Sequence, residues 1–253
     1  MTGDEYLQKI YAAYSAPTGV RGPGDQVMNE LAPLITYWGG NNLFSRRLSG
    51  SYAKGTAVRG DADVDIFISM RSNSHPTLGD MYDSLDNFLK AQRYVTRRQN
   101  VSIGITHNNF QVDLVPGWKQ NNQTEDHSIY LRRNGSWTKT NIATHISSVV
   151  HSGLAPEITL IKRWRDFHSL DFPSFYLELA SMTAMSEMRS YGYAERVKAV
   201  LRYFQTSLRG ARISDPSNAN NVVSDLLNSN EKLTIENAAK ISLTKKTWEE
   251  IIA

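Results

Sequence analysis

Ser49-Gly50-Ser51-Tyr52-Ala53-Lys54-Gly55-Thr56-Ala57-Val58-Arg59-Gly60-Asp61-Ala62-Asp63-Val64-Asp65-Ile66-Phe67-Ile68 is the stretch on which the reading of this chain turns. A turn of small residues runs into acids at alternate positions, and the last of them enters an apolar run. Strand side chains alternate between faces, so Asp63 and Asp65 point one way while Val64 and Ile66 face a core. Two carboxylates side by side repel, which raises the pKa of one of them unless a cation neutralises the pair. Hard oxygen ligands without His or Cys nearby favour magnesium or manganese, and magnesium keeps positions open for water and phosphate.

Two familiar loops fail on the same letters. An EF-hand starting at Asp61 would need glycine where Ile66 stands and glutamate where Ser72 stands, and a phosphate loop starting at Gly50 has Gly55 in register but Thr56 where its lysine belongs. Asp61 is read as ending the turn rather than as a ligand. Downstream, Phe110-Gln111-Val112-Asp113-Leu114-Val115-Pro116 is an apolar strand interrupted by one acid, which is costly to bury unless paired or metal-bound. If that strand neighbours Val64–Met70, Asp113 completes a three-carboxylate site.

Around these segments the chain alternates short β-like runs with helical spacing. Helices are expected over residues 4–14 and 25–38, then strands over 43–49, 64–70, 101–106, 110–115 and 128–132, with an amphipathic helix over 78–91. From about residue 140 helical spacing dominates: 141–151, 156–168, 173–188, 193–209 and 234–252. Ile158, Ile161, Trp164 and Phe167 form an apolar stripe, leaving Lys162, Arg163 and Arg165 on the remaining surface. The expected fold is α+β, with a mixed α/β lobe over residues 1–140, a helical lobe over 141–253 and ligands bound in a cleft between them.

The 253 residues suffice for two lobes, and 40% hydrophobic content is that of a folded protein rather than a disordered one. No cysteine is present, which excludes disulfides, thiolate catalysis and Cys-based metal sites. The start MTGDEYLQKIYAAY lacks the pattern of a signal peptide and no long apolar run follows, so a cytoplasmic protein with no membrane attachment is expected. Net charge is only +3, but segments 41–60 (Arg46, Arg47, Lys54, Arg59) and 196–212 (Arg196, Lys198, Arg202, Arg209, Arg212) are locally basic, which suits phosphate-bearing ligands or nucleic acid.

The order Gly50-Ser51, then Asp63 and Asp65 before an apolar run, then Asp113 in Val-Asp-Leu-Val-Pro, resembles the polymerase-β-like nucleotidyltransferase superfamily. Within it the chain looks most like the branch joining archaeal-type CCA-adding enzymes, oligoadenylate synthetases and bacterial cGAS/DncV-like enzymes. Further likeness lies in Trp137-Thr138-Lys139-Thr140-Asn141 with His145, in Ile161-Lys162-Arg163-Trp164, in Ser174-Phe175-Tyr176-Leu177-Glu178, and in Asp215-Pro216-Ser217-Asn218 followed by Asn220-Asn221-Val222.

The resemblance implies transfer of a nucleoside monophosphate from an NTP, ATP foremost, to a hydroxyl, with release of pyrophosphate. It implies two magnesium or manganese ions on Asp63, Asp65 and Asp113, with Asp113 nearest the attacking hydroxyl. Gly50 and Ser51 would cradle the phosphates, helped by a short helix opening at Tyr52–Ala57. Lys162, Ser174 and His145 would reach the β- and γ-phosphates from the helical lobe, Lys162 being clear of the apolar stripe. Tyr52, Trp118 and Trp137 are candidates for stacking on the base.

Three functions fit these expectations. The compact length favours a synthase of a cyclic or linear oligonucleotide signal in phage defence. The basic stretches favour an RNA 3′-end or tRNA nucleotidyltransferase. A nucleotide-binding module without turnover is opposed by the intact carboxylates.

Overall fold

A computed structural model describes every residue except Val20, Arg21, Asp61 and Arg189. In chain order the elements are α1 (Gly3–Tyr14), α2 (Pro23–Gly39), β1 (Leu43–Leu48), α3 (Gly50–Lys54), β2 (Val64–Met70), α4 (Leu78–Ala91), β3 (Arg97–Arg98), β4 (Ile103–His107), β5 (Phe110–Lys119), β6 (His127–Leu131), β7 (Ser136–Thr140), α5 (Ile142–Ser152), α6 (Ala155–Phe167), α7 (Ser174–Ala184), α8 (Tyr193–Thr206), β8 (Ser214–Asp215), β9 (Asn218–Val222) and α9 (Ser229–Thr244). The architecture is α+β, as expected. Contacts divide the chain into one unit of residues 16–147 and another of residues 1–15 with 148–253.

The first unit is built on a sheet of order β1-β2-β5-β4-β3, with β6 pairing β5 and β7 pairing β6. Only β2 and β5 run parallel; the other pairs are antiparallel. The parallel pair needs a crossover, and the path through α4 and the β3–β4 hairpin supplies it. Val64, Ile66 and Ile68 on β2 and Val112 and Leu114 on β5 bury one face of the sheet with Val27, Leu31 and Ile35 of α2 and Met81, Leu85 and Leu89 of α4. Even-numbered residues of β2 and β5 therefore make the core, and odd-numbered ones form the other face. Thr77 caps α4 by accepting from the Asp80 amide at 3.0 Å, so this helix begins where its sequence says it should.

The second unit packs α1 and α6–α9 around Leu7, Ile158, Ile161, Trp164, Tyr176, Leu177, Val197, Val200 and Phe204. Residues 1–15, read from sequence as part of the α/β lobe, pack here because Leu7 is fully buried among these helices. Ile158, Ile161 and Trp164 are core as the stripe predicts, but Phe167 is 40% exposed in the last turn of α6. The β8–β9 hairpin, missed by periodicity, is organised by Asp215, which accepts from the Ser217 amide (2.7 Å) and hydroxyl (2.8 Å) and from Asn221 Nδ2 (3.1 Å). Among the described residues no helix is long and apolar enough to cross a membrane.

Candidate active site

The parallel register sets Asp65 directly opposite Asp113. Both lie on the face away from α2 and α4, and Asp63, exposed just before β2, projects its charge onto the same place. Asp113 is only 9% exposed, and burial first, then the charge of Asp63, pushes its pKa above the usual carboxylate range. Gln99 Nε2 donates to Asp113 Oδ1 at 2.8 Å and the Ser102 hydroxyl to Oδ2 at 3.3 Å, opposing that rise. Two hydrogen bonds thus orient the buried acid.

On the other side of β2, the chain turns from β1 into α3 at Gly50, whose φ of +57° lies in the left-handed region. A Cβ at Gly50 would overlap Asp65 Oδ2, and the Ser49 amide donates to the Asp65 carbonyl at 2.8 Å. The small-residue turn is therefore pressed against the second acid. The helix it opens, α3, starts at Gly50 and is a single short segment ending at Lys54, rather than one opening at Tyr52. Asp61 lies outside the described residues.

Among the described residues no three acid or imidazole side chains are gathered tightly enough to make a ready cation site. The fold sets Asp65 opposite Asp113, and Asp113 is buried against the like charge of Asp63. A divalent cation relieves that repulsion, so the donor set fits magnesium or manganese.

Other expected site residues fare differently. Lys162, expected to stand clear of the apolar stripe and reach the phosphates, is 3% exposed and its Nζ donates to Glu178 Oε1 at 2.7 Å. An α-helical lysine flanked by Ile161 and Trp164 is carried into the core, where only a partnered charge is tolerated. The Ser174 hydroxyl accepts from Arg165 Nη1 at 2.9 Å at the start of α7. His145 sits half-buried in the first turn of α5, its amide donating to the Asn141 carbonyl at 3.1 Å.

Of the stacking candidates, Tyr52 is buried beneath Gly24 in the core of the first unit. Trp118 and Trp137 face away from the acids: Trp118 donates to Ser74 Oγ at 3.0 Å, and both line a cavity of about 620 Å³ with Pro76, Leu78 and Tyr130 on the α4 face. Strand parity explains the correction, because 118 is even and the acids of β5 and β2 are odd.

The basic stretches are also less bare than their sequence suggests. Arg47 pairs with Glu125 at 2.6 Å, Arg196 with Glu157 at 2.6 Å, and Arg209 with Glu236 at 3.4 Å. Acids remote in sequence balance these cations.

Sequence reasoning missed Gln99, Ser102 and Gly104 around Asp113. The available signal was Gly104 itself, because a glycine inside an apolar strand marks a close approach. A Cβ there would stand 2.9 Å from Arg97 Nη2, 3.0 Å from Asp113 Oδ1 and 3.1 Å from Gln99 Nε2.

Residues 39–152 match the model of the Second Messenger Oligonucleotide or Dinucleotide Synthetase domain. None of the curated proteins matches the sequence. Among solved structures, the chain is similar to CdnC of E. coli MS115-1 in a structure with ATP, at TM-score 0.76 and 19% identity, covering 99% of this chain and 97% of that one. It is similar to the CdnE cyclic dinucleotide synthase of Elizabethkingia meningoseptica, at TM-score 0.68 and 15% identity, covering 97% and 100%. The Cid1 poly(U) polymerase matches at TM-score 0.68 and 12% identity, covering 97% and 95%. These likenesses establish a polymerase-β-like nucleotidyltransferase fold.

Proposed function

We propose that this chain, whose residues 39–152 match the second-messenger synthetase domain, is a cGAS/DncV-like nucleotidyltransferase that links nucleoside monophosphates from NTPs into a cyclic or linear oligonucleotide signal. The observation that carries the reading is the opposition of Asp65 and Asp113 on adjacent parallel strands, with Gly50 pressed against Asp65. ATP is the foremost donor, the cytoplasm the place of action and phage defence the setting.

Asp63, Asp65 and Asp113 would hold two magnesium or manganese ions, which when bound acidify the attacking hydroxyl and neutralise charge on the leaving pyrophosphate. Gly50 lets the donor's phosphates approach the backbone, and Ser51 offers its amide and hydroxyl to them. Asp113, buried and held by Gln99 and Ser102, keeps one carboxylate fixed where the acceptor hydroxyl must lose its proton. Restricting its motion matters because misplacing a reacting group by about 1 Å costs on the order of 10²-fold. Roles for Lys162, Ser174 and His145 at the triphosphate rest on the family resemblance.

A second reading, transfer to an RNA 3′ end, is favoured by the fold likeness to the Cid1 poly(U) polymerase. Purified protein incubated with labelled NTPs and magnesium, with and without RNA, tests both. A nuclease-resistant small product formed without acceptor supports the signal synthase. Label found only in RNA supports the second reading, and tight NTP binding without transfer overturns both.

A further inference from the structure

Across the sheet, one row of directly opposed residues runs Asp65, Asp113, Gly104, Arg97 over strands β2, β5, β4 and β3. Opposed residues on neighbouring strands point to one face, so Arg97 stands on the acid face, two strands beyond Asp113. Gly104 has no side chain to fill the place between them. Arg97 Nη2 reaches into that gap, as the short distances from a notional Cβ show. Its other partner is Gln111, through Nη1 and Oε1.

Arg97 does not stand alone. The end of β6 is fastened to the loop before β4: the Arg132 amide donates to the Asn100 carbonyl at 2.8 Å, Arg132 Nε to the Gln99 carbonyl at 3.1 Å, and the Arg133 amide to Asn100 Oδ1 at 3.0 Å. Arg132 and Arg133 are exposed, as is Arg97. Arg98, beside them, is spent on Asp83 and Asp86. Among the described residues, none of Arg97, Arg132 and Arg133 forms a direct ion pair with a carboxylate; the charge of Arg97 acts across the gap on Asp113, where it opposes the rise in pKa. This sets them apart from Arg47, Arg196 and Arg209 of the basic stretches, which have acidic partners.

We infer that Arg97, with Arg132 and Arg133 behind it, is an anion ledge that holds a phosphate of the acceptor nucleotide. The inference rests on the proposed nucleotidyl transfer and adds to it the recognition of the acceptor. The order across the sheet assigns the phosphate. The donor's cradle, Gly50 and Ser51, lies on the β1 side of Asp65, whereas Arg97 lies at the opposite end of the row. Strands are spaced about 4.8 Å apart, so the β3 backbone stands roughly three strand spacings from that of β2. A donor triphosphate gripped at Gly50 leaves the ledge to the molecule whose hydroxyl meets Asp113. Guanidinium groups match phosphate oxygens in pairs, so such a ledge selects a phosphorylated acceptor over its dephosphorylated counterpart.

The test is calorimetric titration of the full chain, with magnesium present and the donor site filled by a non-hydrolysable ATP analogue, using AMP and adenosine as acceptors. The 5′-phosphate is expected to tighten binding to the wild type about tenfold. In Arg97→Ala the two should bind within about twofold of each other, with affinity for the ATP analogue unchanged; Arg97→Lys should regain part of the difference. Equal or undetectable binding of AMP and adenosine to the wild type overturns the inference, as does a phosphate advantage that survives Arg97→Ala. An A10 oligonucleotide distinguishes the source of the phosphate. If Arg132→Ala and Arg133→Ala weaken A10 more than AMP, the ledge tracks a chain; equal weakening assigns it to a single nucleotide. Parallel measurement of adenylyl transfer from ATP to AMP separates the two proposals. A phosphate advantage without transfer sinks the enzymatic reading alone, and transfer without a phosphate advantage sinks the ledge alone.

Discussion

Gly50 and Asp65 occupy each other's space: the carboxylate Oδ2 of Asp65 fills the position that a Cβ on residue 50 would take. The left-handed φ of +57° independently favours glycine there. Gly50→Ala should therefore displace Asp65 while leaving the buried strand around it intact. NMP transfer is expected to fall by about 10²-fold, with a stability loss of about 1–2 kcal/mol. Steady-state kinetics beside thermal melts checks this, and full activity in the variant would show that the contact is dispensable.

Asp113 is buried beside Asp63, and burial first, then the Asp63 charge, raises its pKa, so folding disfavours the ionised form. For an acid shifted upward, the favourable contribution is present below the unfolded pKa and is lost as pH rises through the folded one. At pH 7 the charge therefore costs stability, and Asp113→Asn should melt at or above the wild-type temperature in EDTA while transferring no nucleotide. Magnesium should raise the wild-type melting temperature more than that of the variant. A variant that melts lower in EDTA would contradict the sign.

Lys162 and Glu178 form an ion pair in which each side chain is at most 3% exposed. Removing the ammonium leaves a buried carboxylate unpaired, so Lys162→Ala should cost about 3–5 kcal/mol of stability. Urea denaturation measures it directly. Lys162→Met combined with Glu178→Leu should recover most of that loss, because no charge then remains uncompensated.

His127 is buried, and burial first of all lowers its pKa. Its Nδ1 faces the Glu125 carbonyl at 2.9 Å and its Nε2 faces the Ser69 hydroxyl at 2.7 Å, so the neutral ring suits both partners, Nδ1–H donating and Nε2 accepting. For a base shifted downward, the unfolded chain takes up the proton first as pH falls below about 6.5. Stability should decline as pH drops below that value toward the lower folded pKa. His127→Gln should flatten this part of the stability profile between pH 7.5 and 5.5, and an unchanged slope would assign the dependence to other groups.

Much of the strand that carries Asp65 was legible because its information is local. Val64–Met70 and Leu78–Ala91 occur with the bounds their patterns predict, since a period of two or of 3.6 and a capping threonine act over a few residues. The same locality misled at Trp118, where being aromatic near a strand said nothing about which face it takes relative to Asp113. It misled again at Lys162, whose spacing on α6 separates it from one stripe but not from the buried Glu178 on α7. The strand at Ser136–Thr140 escaped notice because it sits at the sheet edge beyond β6 and alternates weakly, with Trp137 59% exposed.

The sequence by itself determined that Asp65 enters an apolar strand behind a glycine-serine turn and that another acid, Asp113, interrupts a second apolar strand, because side-chain alternation follows from backbone geometry alone; Asp63, read as sharing the strand face, lies just before β2. Only the tertiary structure decided that Asp113 stands opposite Asp65, that Gly104 opens a gap to Arg97, and that Lys162 belongs to Glu178. Those pairings depend on hydrogen-bond register and helix packing between segments distant in the chain, and no local pattern carries the free energy that selects them.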